Sequence, residues 1–214
     1  MLRPGRFARI LLVRERKWCA LLGRTEGSAI LEFSIAVPLL VVFVVGIYDF
    51  SGAFNQKQKI EQAAQEGAIV AAAQPMTDIG ASATGTPSNP QSLQPVVAAV
   101  FNSLAASNVL PNANQGTCTL SQMPAPAQSV LTWTYTISGC SGNYPDDNLV
   151  IIVNRGWDVA GSGTPPSPSI IGSWVSAAYP YHWRFNSVIQ LLLPGASYQA
   201  MTNVTESASV HNQM

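Results

Sequence analysis

Glu32 is the one charged side chain between Ser28 and Tyr48, in a run that is otherwise almost wholly apolar. A carboxylate inside lipid costs a few kcal/mol, and such a group usually has a partner or a task. Either Glu32 lies close enough to the interface to reach water, or something neutralises it. Other chemistry is thinly represented. Cys118 and Cys140 have neither nearby histidines nor the paired spacing of a zinc site, so a disulfide is the expected use. The segment Asn143-Tyr-Pro-Asp-Asp-Asn148 holds two adjacent carboxylates. It lacks the alternation of an EF-hand loop and reads better as a polar turn than as a calcium site. The histidines are His182, among aromatic residues, and His211, near the end of the sequence. No metalloprotease, nucleophile-elbow or phosphate-loop motif accompanies them. Nothing recommends a catalytic residue, a cofactor or a metal.

The elements that carry these residues begin with the apolar run 29–50. At ~1.5 Å per residue it is roughly 33 Å long as a helix, against about 30 Å of hydrocarbon in a bilayer. Tyr48 and Phe50 sit at its far end, where aromatic rings favour the interface. Pro38 inside the run is expected to kink it. Ahead of the run stand Arg3, Arg6, Arg9, Arg14, Arg16, Lys17 and Arg24, against Glu15 and Glu26. Beyond Phe50 the bases are Lys57, Lys59, Arg155 and Arg184, outnumbered by acids. This asymmetry puts the N-terminus in the cytoplasm and the rest outside. A nucleic-acid role for the basic block is the rival reading, but the block abuts the apolar run and lacks interleaved aromatics. Cys19 then stays on the cytosolic side, while Cys118 and Cys140 lie where disulfides persist.

The local sequence around the membrane face is Arg24-Thr-Glu-Gly27 followed by Ser28-Ala-Ile-Leu-Glu32-Phe33. This resembles the processing site of type IV prepilins, and the Glu-aromatic pair is similar to that of the tight-adherence branch. Pro38-Leu-Leu40, Gly46-Ile-Tyr-Asp-Phe50 and Gln62-Ala-Ala-Gln-Glu-Gly-Ala68 extend the likeness to the TadE-like family of minor pseudopilins, over residues 24 to 73. Tyr179-Pro180-Tyr181 with His182-Trp183 resembles the aromatic-proline segment near the end of such domains. The resemblance implies cleavage between Gly27 and Ser28 by a prepilin peptidase. It implies a register-setting role for Glu32 with Phe33. Partners would be the peptidase, other pilins and pseudopilins, the inner-membrane assembly platform and the lipid bilayer. The location would be a bacterial inner membrane, crossed once. Two rivals remain: an uncut anchor, and a secretory signal cut near Ser51-Gly-Ala53. The apolar run is longer than the usual signal core of about 7–15 residues.

The expected organisation is a basic leader over 1–27, a transmembrane helix over 28–50 and its stalk continuation over 51–75. A linker over 76–95 and a head over 96–214 follow. The stalk stripe comprises Ala53, Phe54, Ile60, Ala63, Ala64, Gly67, Ala68 and Ala71. Val96 to Val109 reads as a short helix with Val96, Val97, Val100, Phe101, Leu104 and Ala105 on one face. Strands are expected at Val130–Ile137, Leu149–Val153, Trp174–Tyr179 and Thr202–Val210. Arg184–Leu193 is open between strand and helix. The class is α+β: a pilin-like N-terminal helix, then a small head with a short helix and an antiparallel sheet. The functional alternatives are a membrane-anchored binding module and an anchored or secreted enzyme.

Overall fold

A computed structural model describes residues 28–79, 89–122, 125–129, 131–158, 171–185 and 201–212. The leader, with Gly27 and Cys19, lies outside them, as do the Gly161–Pro168 stretch and nearly all of 184–193. Two compact units divide between Tyr48 and Asp49.

Helix α1 runs without interruption from Ser28 to Ala73 and passes through Pro38. Its first unit is apolar on every side. Ile30, Leu31, Phe33, Ile35, Leu39, Leu40, Phe43 and Ile47 are all more than half exposed. An amphipathic helix of a soluble domain hides one face; a helix apolar all round needs an apolar solvent. The 18-residue window of highest mean hydropathy, 2.6, has none of its residues buried. This helix is therefore long and apolar enough to cross a bilayer once.

In the second unit α1 becomes one-sided. Ile60, Ala63, Ala64, Gly67, Ala68, Ala71 and Ala72 are buried. Phe54, expected in that stripe, is instead 63% exposed. It falls four residues after Phe50, on the face turned away from the core. Helix α2 spans Gln94–Ala106, with Pro95 in its first turn, where a missing N–H does no harm. Its buried face is Val96, Val97, Val100, Phe101 and Leu104. Lys59 Nζ donates to the Ser107 carbonyl at 2.8 Å, placing a cation at the C-terminal end of α2.

Among the described residues five strands form one antiparallel sheet in chain order: β1 (Ala127–Ser129), β2 (Thr132–Ser138), β3 (Asn148–Asp158), β4 (Ile171–His182) and β5 (Met201–His211). The threonine alternation in β2 sends Trp133, Tyr135 and Ile137 inward. Opposite them lie Val153, Ile151 and Leu149 of β3. Val175, Ala177 and Tyr179 of β4 complete that face. The core fills the space between it and the two helices. β3 and β4 run well past their expected ends, and a register shift between Asn154 and Trp157 joins their far halves. Ile79 and Leu93, both within the stretch expected as a linker, are buried.

Arg155, next to that shift, is fully buried, and its Nη2 donates to the Gln74 carbonyl at 2.7 Å, just past the end of α1. Asp78 lies near enough to offset part of the burial penalty on its charge. Burial works against the Asp78 carboxylate too, yet the Ser92 N–H at 2.7 Å and the Arg155 charge hold it below its usual range.

Cys118 and Cys140, 22 positions apart in sequence, are joined by a disulfide with Cα atoms 4.9 Å apart. Both are fully buried. Replacing both by serine is expected to lower stability by ~3 kcal/mol, the loop-closure value for this separation. Urea unfolding of the full chain in detergent measures it.

Tyr135 and Tyr179 are nearly inaccessible, and burial pushes both phenols up to about 12. At Tyr179 the Asp147 carboxylate adds to the effect. A raised acid is fully stabilising below its unfolded value near 10, and the benefit disappears as pH rises through the folded one. Stability is therefore expected to fall between pH 10 and about 12, by roughly 2–3 kcal/mol per tyrosine at ~1.4 kcal/mol per unit. The tyrosinate absorbance missing from Tyr135→Phe or Tyr179→Phe should rise together with unfolding rather than before it.

Candidate assembly site

Ser28 is the first residue of α1, and Glu32 and Phe33 follow one turn later, all exposed. Positions four apart share a helix face, so the Ser28 backbone nitrogen and the Glu32 carboxylate lie along one side. Among the described residues no cation forms an ion pair with Glu32; Lys57 pairs with Glu206 at 3.4 Å, and His182 lies 2.9 Å from Asp147. The carboxylate is thus presented on an apolar surface without a partner from the described residues.

A second acid was missed as a site. Asp49 directly follows the apolar run and is 2% exposed. Its Oδ2 accepts the Phe185 N–H at 2.7 Å, and its Oδ1 lies 3.0 Å from the Tyr181 hydroxyl. The same hydroxyl reaches the Asp49 carbonyl at 3.0 Å. The Phe50 ring meets Trp183 edge-on, with centroids 5.3 Å apart, and Trp183 meets Tyr181 likewise at 5.1 Å. A Cβ at Gly52 would lie 2.6 Å from the Tyr181 hydroxyl, so the small residue makes room for it. Gln56 Nε2 donates to the Pro180 carbonyl at 3.2 Å. The turn of α1 after Tyr48 is thereby held by the end of β4. The Asp-Phe pair and the aromatic-proline segment, each singled out in the sequence, touch. Their separation of 132 residues hid the contact.

The other acid-rich segment is a turn, as expected, closed by the Asp147 N–H on the Tyr144 carbonyl at 3.1 Å. Asp147 is buried, and both its oxygens lie 2.9 Å from His182 Nε2. Tyr144 stacks on the His182 ring at 3.5 Å. Among the described residues no three His, Cys, Asp or Glu side chains converge as a metal site.

One apolar helix of membrane length that continues into an α+β head defines the class of protein. A family model described as TadE-like protein matches residues 27–68. That stretch holds Ser28, Glu32, Phe33, Asp49 and the Glu66-Gly67-Ala68 string, and falls within the part of the chain that carried the resemblance. No curated protein and no solved structure matches the chain.

Proposed function

We propose that this chain is a TadE-like minor pseudopilin that assists assembly of a tight-adherence pilus or a related secretion machine. A prepilin peptidase cuts between Gly27 and Ser28. The head lies on the outer side of a bacterial inner membrane. The partners are the peptidase, other pilins and pseudopilins, the assembly platform and the bilayer. The observation that carries this reading is Glu32: a lone carboxylate on an exposed, wholly apolar helix, one turn after the residue whose amine the cut frees. In an assembly of staggered helices that ammonium meets the Glu32 of an adjacent subunit. Such a contact is strong in low dielectric, and removing one partner costs roughly 3–5 kcal/mol.

Glu32→Ala should insert into the membrane normally and still start at Ser28 by mass spectrometry. Its recovery with assembled pilins should drop at least about tenfold, since each ~1.4 kcal/mol is a factor of ten. Normal recovery of the variant overturns the register role. A mature chain starting after Ala53 replaces the proposal with ordinary secretion.

A second reading, a head that binds a surface ligand, has one observation in its favour. A groove of about 440 Å³ is lined by Asn143, Tyr144, Asp147, His182, Trp183 and Arg184, among others. Loss of head function with normal piliation favours it. An enzymatic role has less to stand on, because His182 Nε2 is engaged by Asp147 and its ring is covered by Tyr144.

A further inference from the structure

We infer that the end of β4 touches the lipid surface: Trp183, with Phe50 beside it, sits among phospholipid headgroups. This rests on the reading that the first part of α1 crosses a bilayer, and on nothing about pili. Phe50 lies two residues past Tyr48 in one continuous helix, roughly 3 Å along its axis. It is therefore fixed at the outer edge of the hydrocarbon. Trp183, far away in sequence, has its ring centroid only 5.3 Å from that of Phe50. Whatever depth Phe50 occupies, Trp183 shares it to within one ring diameter.

The chemistry of the patch suits that depth. Indole and phenol rings favour the interface because one part is apolar and the other hydrogen-bonds. The Trp183 N–H donates to Thr202 Oγ1 at 2.8 Å, so this donor is satisfied before any lipid arrives. Asp49, the one acid at this level of α1, is buried and hydrogen-bonded, so it shows no bare charge to lipid. Arg184, next to Trp183, is exposed and able to meet phosphate. Phe50 and Phe54 are 55% and 63% exposed, one turn apart on one face of α1. This apolar stripe runs past the end of the membrane run on the side that the core leaves open. A second copy of the chain is the competing occupant. The patch starts two residues after Tyr48 in the chain, and its aromatic and cationic make-up is that of an interface.

The test uses the full chain in phosphatidylcholine vesicles, with bromine placed at shallow or deep positions of the acyl chains. Flotation with the vesicles reads membrane anchoring. The fluorescence lost in Trp183→Phe reads Trp183 alone, against the other four tryptophans; Trp183→Tyr serves if the first variant misfolds. That component should be quenched about twofold by shallow bromines and clearly less by deep ones, as expected for a ring at headgroup level. Flotation without quenching overturns the inference and leaves the anchor standing. Failure to float overturns both. Quenching that disappears as the protein-to-lipid ratio rises assigns the patch to a second copy, and also overturns it.

Discussion

Asp49→Ala is expected to destabilise the head by about 3–5 kcal/mol, although the residue adjoins the apolar run and belongs to no hydrophobic core cluster. The wild-type carboxylate accepts from the Phe185 N–H and from the Tyr181 hydroxyl in a site that is 2% exposed. Alanine removes the carboxylate that accepts from both, while the Tyr181 hydroxyl keeps the carbonyl of residue 49 at 3.0 Å. Hydrogen bonds to a charged group contribute about 1.5–3 kcal/mol each, and two are lost here. Tyr181→Phe removes one donor along with its acceptor's need, and should cost only about 1–2 kcal/mol. The pair should not be additive, since both substitutions act on one contact. Urea unfolding of the full chain in detergent gives all three values. Equal, fully additive losses would show that Asp49 and Tyr181 act separately.

Gly67→Leu is the second large expected effect, at roughly 3 kcal/mol or more. A Cβ on Gly67 would overlap Cγ2 of Val100 and lie 3.2 Å from Cγ1 of Val175. Neither valine has a flexible end that can swing away. The backbone of α1 therefore rests directly against α2 and β4 at this point. Leucine gains about 1 kcal/mol of helix propensity over glycine, which is too little to offset the overlap. Val100→Ala removes the overlapping atom. Gly67→Ala combined with Val100→Ala should thus be less destabilised than the sum of the two single variants. Strict additivity would mean that the helices had simply moved apart.

Much of the architecture was legible because its signals are local. A wholly apolar run, then a stripe of alanines at helical spacing, foretold the two characters of α1. Threonines alternating with Trp133, Tyr135 and Ile137 foretold β2 and its inward face. The far halves of β3 and β4 were missed because Arg155 and Gly156 break the expected pattern. Their place depends on the register shift and on a carbonyl contact 81 residues away. Phe54 was placed in the stripe by its type, yet its angular position puts it outside. The TadE-like stretch was readable from Gly27 to Ala68. The Asp49 clamp and the Asp147–His182 pair were not, since each is closed by residues that only the sheet brings near.

The meander has a consequence for how the head is made. Each strand pairs with the one delivered just before it, so the sheet can grow as the polypeptide emerges from the ribosome. Asp49 emerges early and Tyr181 late, so the carboxylate waits in water until most of the chain has arrived. Closure of that contact then marks the moment when the end of β4 has reached the helix turn it holds.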